Sequence, residues 1–317
     1  MTGLHIAQIG TGRVGRPTAY TIMCSGLAGK LTVCDTKPGL AKAFGEELHH
    51  ATVSLGTDIE IIGCERDEEV QGADIILVSA GEPRLPGVQM SRRDLALKNA
   101  IIVRHIAEAT APRNPKAKYV VITNPVDAMA MIFKKYSGAE FVISTGTNLE
   151  SLRFRSKLAR NLGMPVTRVQ GWVGGEHGDA AVILWSTVKA NNVSVEGYAA
   201  SKEIIFSRNA LETYMKEISR LIIDNIGGTE YGPAASFRDI VRAIAKDTRE
   251  TLCVATPWKF EGIPEPVHVS VPLKLGSAVD VNFFENLIEG ERKGVENAAR
   301  AIYATYKEAL EGLAQPK

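Results

Sequence analysis

No apolar stretch of the chain approaches the roughly 20 residues that a membrane-spanning helix needs, and no run of five or more basic residues occurs. Thirty-seven Lys and Arg stand against 36 Asp and Glu, a formal net charge of +1. A nearly neutral chain without a basic run offers no electrostatic case for nucleic acid or a membrane surface as partner. Cysteine is scarce too. The four, Cys24, Cys34, Cys64 and Cys253, form no C-x-x-C pair, which argues against a disulfide framework or a bound metal. Buried, reduced thiols are the expectation. Pro/Ser-rich linkers, low-complexity tracts and internal repeats are missing, so any lobes should be tightly joined. The opening MTGLHIAQIG has neither a basic n-region nor a long apolar h-region, and the expected location is the cytoplasm.

What is present is an ordinary globular composition, 45% hydrophobic and 23% charged. At 317 residues the chain exceeds what one hydrophobic core usually serves, so two lobes are expected. The first half alternates apolar runs, at 4–10, 30–35, 58–63, 74–80, 119–124 and 141–145, with helical patterns at 14–26, 39–53, 91–111 and 126–136. That alternation predicts a parallel sheet covered on both faces. After about residue 146 the pattern changes. Strands and turns are predicted over 168–194, and one long helix over 196–225 with Ile204, Leu211, Ile218 and Leu221 on one face. A helix at 233–247, antiparallel strands at 253–258 and 267–276, and a final helix at 287–313 follow. The fold class is therefore α/β: a doubly wound, Rossmann-type parallel sheet over 1–146, then an α+β lobe over 147–317.

The segment GTGRVG (10–15) follows the first predicted strand and opens the first helix. Gly10 permits a tight turn, Gly12 lets a pyrophosphate approach the backbone, and Gly15 lets helix and strand pack closely. The helix N-terminus offers N–H groups and a positive dipole end to phosphates. Asp35 ends the second strand, 20 residues beyond Gly15. A carboxylate there can bond both ribose hydroxyls and would repel a 2′-phosphate, which favours NAD over NADP; Lys37 leaves secondary NADP use open. Arg13 could lie against the pyrophosphate or be a solvated surface arginine.

In a doubly wound sheet the ligand sits beyond the carboxyl ends of the strands. Arg84 and Arg92 follow the strand 74–80, Asn124 ends the strand 119–124, and Glu150 and Arg153 follow the strand 141–145. His177 follows a strand in GWVGGEHGDAAV (171–182). Singly, each has a plain explanation: a turn histidine satisfied by backbone, arginines on solvated helix faces, a turn asparagine before Pro125. Jointly their types suit hydride transfer to a 2-oxo acid. His177 can donate the proton, with Glu150 holding the imidazolium. Arg92 can polarise the carbonyl, Arg153 can grip a carboxylate with both arms of its fork, and Asn124 can orient the carbonyl or the nicotinamide. The cofactor supplies the hydride.

The ordered set GTGRVG, Asp35, SAGEPRLPG…MSRRDL, TNPVD, GTNLESLRFR, GEHGD and VPLKLG resembles the NAD-dependent lactate/malate dehydrogenase family, most closely its lactate-dehydrogenase-like malate dehydrogenases, over nearly the whole chain. The resemblance implies His177 as acid/base, Arg92 as polariser and Arg153 on the substrate's 1-carboxylate. It also implies Thr229, in GGTEYGPAA, near the substrate, and a loop 82–92 that closes over the ligand. The implied cofactor set is Gly10, Gly12, Arg13, Val14, Gly15, Asp35, Asn99 and Asn124. A homo-dimer or homo-tetramer acting on malate and oxaloacetate is expected.

Two departures stand out. Glu150 replaces the family's usual aspartate. In the loop, Arg84 lies eight positions before Arg92 rather than six, as though Val88 and Gln89 were inserted. Aligned from the GEPR end, Arg84 takes the second carboxylate. Lactate dehydrogenase is the nearest alternative, with an NAD-dependent glycosidase and a non-enzymatic NAD sensor more remote.

Overall fold

A computed structural model describes residues 3–82 and 92–315, the side chains of Arg92 and Arg93 excepted. The first half runs β1 (His5–Ile9), α1 (Gly15–Cys24), β2 (Lys30–Cys34), α2 (Leu40–Leu55), β3 (Glu60–Cys64), β4 (Ile75–Val78), α3 (Arg92–Thr110), β5 (Lys118–Val121), α4 (Val126–Ser137) and β6 (Val142–Ser144). The second runs α5 (Asn148–Leu162), β7 (Val169–Gly175), β8 (Ala181–Ala190), β9 (Val193–Ser194), α6 (Val195–Ser201), α7 (Arg208–Ile226), α8 (Tyr231–Lys246), β10 (Glu250–Trp258), β11 (Val267–Leu275), β12 (Val279–Asn282) and α9 (Glu289–Ala314). Among the described residues no helix is long and apolar enough to cross a membrane.

The first six strands are parallel in the order β3-β2-β1-β4-β5-β6. The runs HIAQI and IILV are buried throughout, because helices cover both sides and every side chain on either face must be buried. Period-two alternation divides them: Ile6, Ile75 and Leu77 pack with α1, α2 and α8, while Ala7, Ile9, Ile76 and Val78 pack with α3, α4 and α9. The chain order reverses between β1 and β4, on either side of which the crossovers run in opposite directions. A crevice opens at such a switch point.

The sheet does not stop at β6. Strand β10 pairs antiparallel with it at Ser144 and Ala255, then β11, β7, β8 and β9 continue the sheet. Strands β10 and β11 are in unbroken register from Glu250–Leu275 to Trp258–Val267. Helix α9 packs on α3 and α4 as well as on β7, β8 and β11, so it spans both halves.

Two expectations fail. The predicted helix over 196–225 is two helices, α6 and α7. The intervening 202–207 turns at Glu203, whose φ is +54°, and Ser207 restarts the helix by accepting a bond from the Ala210 N–H. Ile204 and Phe206 of this segment pack against the core that holds Phe154 and Leu158, Phe206 edge-on to Trp185, while Ile205 faces solvent. Of the face assigned to one helix, Leu211 is buried but Leu221 is 59% exposed. Local capping overrode an apolar spacing that also suits an extended strand. Cys24, at the end of α1, is exposed rather than buried; Cys34, Cys64 and Cys253 are buried and all four are free.

Close approach fixes the turn between β1 and α1. Gly10 has φ +88°, and a Cβ there would lie 2.4 Å from the Ala80 nitrogen. A Cβ on Gly15 would lie 1.9 Å from the Gly10 carbonyl oxygen. Neither neighbour can yield, being backbone. Gly15→Ala is therefore expected to destabilise the fold by about 1–3 kcal/mol, seen as a lower midpoint in chemical denaturation; an unchanged midpoint would mean that the turn has slack.

Candidate active site

The switch point presents a cradle. Gly12 lies between the two constrained glycines, and a Cβ on it would meet nothing within 4 Å. Open space in front of that backbone, at the start of α1, is what an approaching phosphate requires. Asp35, just past β2, faces the same loop: its Oδ2 accepts from the Thr11 N–H at 2.8 Å and the Thr11 hydroxyl at 3.0 Å, and its Oδ1 from the Lys37 N–H at 3.0 Å. Val14 precedes α1 and packs with the core on that side. A dinucleotide fits these residues: glycines where backbone must come close, a carboxylate at the ribose end and a helix N-terminus between them.

Beyond β4 and β5 the chain is tied by Asn99, which is 1% exposed. Its Nδ2 donates to the Asn124 carbonyl at 2.7 Å, and its Oδ1 accepts from the Glu82 N–H at 2.7 Å. Asn99 thus sits behind the exposed Asn124, whose peptide bond to Pro125 is cis.

The ionic cluster lies where the halves meet. Thr147 donates to the Val173 carbonyl at 2.5 Å, and the Val173 N–H donates to the Ser151 hydroxyl at 3.0 Å. These bonds register the first turn of α5 against β7, so Glu150 on that turn meets His177 just after β7. His177 Nδ1 lies 3.1 Å from Glu150 Oε2. Arg153, one turn on, places Nη1 3.4 Å from Glu150 Oε1 and donates through it to the Ser219 hydroxyl of α7 at 2.7 Å. The side chains of Glu150 and Arg153 are 11% and 13% exposed, and that of His177 28%.

Electrostatics follow from these contacts. The Glu150 charge raises the His177 pKa above 6.5 against the opposing effect of burial. Burial pushes Glu150 up, but the facing His177 and Arg153 charges outweigh it and hold the carboxyl below its usual value. Burial lowers Arg153, opposed by Glu150. An imidazole held through Nδ1 by a carboxylate keeps its charge to higher pH than a free one and leaves Nε2 to exchange a proton with a ligand.

Of the sequence-predicted residues, His177, Glu150 and Arg153 come together, and Gly10, Gly12, Val14, Gly15 and Asp35 line the cradle. Thr229 lies between α7 and α8, partly buried. Arg92 opens α3, its side chain outside the described residues, and Arg84 lies outside them altogether. Arg13, within the glycine loop, also reaches the α7–α8 junction, donating to the Ile226 carbonyl at 3.0 Å and to Glu230 at 2.7 Å.

Three participants were not singled out from sequence. Asp127, 2% exposed, accepts from the His177 backbone N–H at 2.9 Å and from the Ser144 hydroxyl at 2.6 Å. A carboxylate on the first turn of a helix whose next six residues are all apolar, inside TNPVD, was a usable signal. Ser219 and Glu230 had none, since only the packing of α7 and α8 brings them in.

A doubly wound sheet with this cradle and imidazole–carboxylate pair places the chain among the NAD-dependent 2-hydroxy-acid oxidoreductases, and the comparisons agree. Residues 4–141 match the lactate/malate dehydrogenase NAD binding domain, and 147–312 the lactate/malate dehydrogenase alpha/beta C-terminal domain. The chain belongs to the lactate/malate dehydrogenase family, and its cofactor is NAD. It is 38% identical to a malate dehydrogenase of Sulfolobus acidocaldarius over 98% of this chain and 99% of that one. Identity to an L-lactate dehydrogenase of Thermus aquaticus is 30%, covering 94% and 97%. The crystal structure of Cryptosporidium parvum malate dehydrogenase superposes with a TM-score of 0.90 at 28% identity, covering 98% and 99%.

Burial pushes the Asp127 carboxyl up to about 6, with the Ser144 and His177 donors only partly offsetting it. A raised native pKa means that Asp127 supports the fold fully below its ordinary 3.8 and loses that support as pH rises through about 6. Asp127→Asn keeps an acceptor for the His177 N–H and carries no charge. The stability of this variant relative to the parent should therefore rise between pH 3.5 and 6.5, by up to about 3 kcal/mol. Denaturation curves across that range would check it, and a difference independent of pH would remove Asp127 as an ionising group.

Proposed function

We propose that the protein is a malate dehydrogenase, interconverting (S)-malate and oxaloacetate. The observation that carries the chemistry is the 3.1 Å contact of His177 Nδ1 with Glu150, beside Arg153. Two relatives at 38% and 39% identity are malate dehydrogenases, against 30% for the L-lactate dehydrogenase of Thermus aquaticus, which favours the dicarboxylate. In this reading the chain folds as a dinucleotide-binding lobe to residue 146 and a substrate lobe from 147. It assembles as a homo-oligomer and works in the cytoplasm.

Gly10, Gly12, Val14 and Gly15 hold the cofactor's pyrophosphate end and Asp35 its adenosine ribose, which disfavours the 2′-phosphate of NADP. NAD, when bound, supplies or accepts the hydride. The chain's own residues do the rest. In reduction, His177 gives its Nε2 proton to the substrate's carbonyl oxygen, and Glu150 stabilises the imidazolium beforehand and fixes the ring through Nδ1. Glutamate serves in place of the family's usual aspartate because its longer side chain still reaches hydrogen-bond range. Arg153 takes the 1-carboxylate, steadied by Ser219, and Asn124 orients the carbonyl against the nicotinamide. Thr229 borders the substrate from the α7–α8 junction. Arg92 meets the developing negative charge on oxygen. Arg84 takes the second carboxylate, and without one its desolvation would cost about 3–5 kcal/mol, which is why pyruvate should be a poor substrate.

Reduction needs protonated His177, so kcat/KM for oxaloacetate should be level at low pH and fall as pH rises through the raised pKa. Glu150→Gln should cut kcat by about 100-fold or more and move that fall to lower pH; unaltered turnover would remove Glu150 from the mechanism. Arg84→Gln should reduce oxaloacetate turnover by orders of magnitude more than pyruvate turnover. A steady-state comparison of the two substrates with NADH, for the parent and this variant, decides between malate and lactate, and equal losses on both would take the selecting role from Arg84.

A further inference from the structure

Arg13 stands at the tip of the glycine loop, yet its guanidinium crosses to the other half of the chain. Nη1 donates to the Ile226 carbonyl in the last turn of α7 and to the Glu230 carboxylate at the start of α8. The two contacts bracket Thr229. The floor beneath the side chain is Gly227 and Gly228, with φ +80° and +153°, and Cβ atoms there would lie 3.1 Å from Arg13 Nη2 and 2.8 Å from its Cδ. Two adjacent glycines thus leave the room in which this arginine lies. With 48% of the Arg13 side chain and 29% of the Glu230 side chain exposed, the ion pair is screened by water and adds little to stability. What it supplies is position.

We propose that Glu230 is a positioning residue that shares Arg13 with the cofactor: through Arg13 it holds the 226–230 segment against the glycine loop, and so sets the substrate side of the site. The proposal rests on the malate dehydrogenase reading only in taking Thr229 as a substrate neighbour, whichever 2-oxo acid is used. Its electrostatics have a definite sign. Glu230 puts a carboxylate near the loop that receives the pyrophosphate, and Arg13 neutralises it. Removing the Glu230 charge lets Arg13 turn toward the phosphates and leaves the Ile226 carbonyl alone to tie Arg13 to the segment beside the substrate, which loosens it. Removing Arg13 leaves Glu230 unneutralised, facing incoming negative charge.

The test is a cycle of Glu230→Gln, Arg13→Gln and the double variant, with NADH affinity read by fluorescence titration and KM and kcat measured for both oxaloacetate and pyruvate. Glu230→Gln should bind NADH as tightly as the parent or tighter, and raise KM for whichever oxo acid is turned over by about 3–10-fold with kcat within about twofold. Arg13→Gln should weaken NADH, and the double variant should recover part of that loss, because the repelling carboxylate is gone. The loss should shrink in high salt. A double variant that binds NADH no better than Arg13→Gln, an unaltered KM in Glu230→Gln, or weaker NADH binding in that variant would each overturn the proposal. A parent that prefers pyruvate would instead overturn the malate reading and leave this result legible.

Discussion

One buried carboxylate keeps the two halves of the site in register. Asp127 stands on α4 of the first half and accepts from Ser144 at the end of β6, where the sheet passes from parallel to antiparallel. It also accepts from the backbone N–H of His177, 50 residues on in the second half. That N–H begins a glycine-rich turn with little side-chain packing of its own. The turn is closed by its own bonds, from the Glu176 N–H to the Ala180 carbonyl at 3.4 Å and from the Gly178 N–H to the Glu176 carbonyl at 2.9 Å, and Asp127 ties it to the first half beside Glu150. Burial makes Asp127 a poor acid to ionise, a cost the fold accepts for a strong, directional anchor.

Glu150, His177 and Arg153 form a chain of alternating charge sunk in a low-dielectric crevice. Buried charges are tolerated when paired, and the loss of one partner strands the other. Here the central carboxylate faces a cation on each side, so its ionised form persists despite burial. The same pairing keeps the imidazole protonated at higher pH than a free histidine. Stability and chemistry draw on one set of contacts. The contribution of His177 to folding is complete below pH 6.5 and is lost as pH rises through its raised pKa. That of Glu150 is complete above its ordinary value and is lost as pH falls through its lowered one.

Much of this was legible in the chain. Continuous β-branched runs such as IILV have one stable setting, between two layers of helices, so the parallel sheet follows from the pattern. GTGRVG is nearly self-specifying, because Gly10 and Gly15 are held by backbone contacts that admit no side chain. His177, Glu150 and Arg153 could be proposed as partners because each follows a predicted strand and their types together suit one chemistry, although β7 proves to run antiparallel to β6. The region around 202–207 was misread, since Ile204 and Phe206 satisfy helical and extended spacings alike, and the deciding feature was the Ser207 cap. Asp127, Ser219 and Glu230 escaped notice because their roles depend on which helix lies across from them.

The layering of the first half, the glycine turn and the residue types of the chemistry are written in the chain, because periodicity, backbone freedom and side-chain reactivity act over a few neighbours. Tertiary structure alone decided that the parallel sheet would continue through β10 and β11 into the second half, that Arg13 would cross to Glu230, and that Asp127 would hold the turn carrying His177. Those outcomes depend on contacts between segments 50 to more than 200 residues apart. Such contacts have no period in the chain, because they are selected by how whole helices and strands pack.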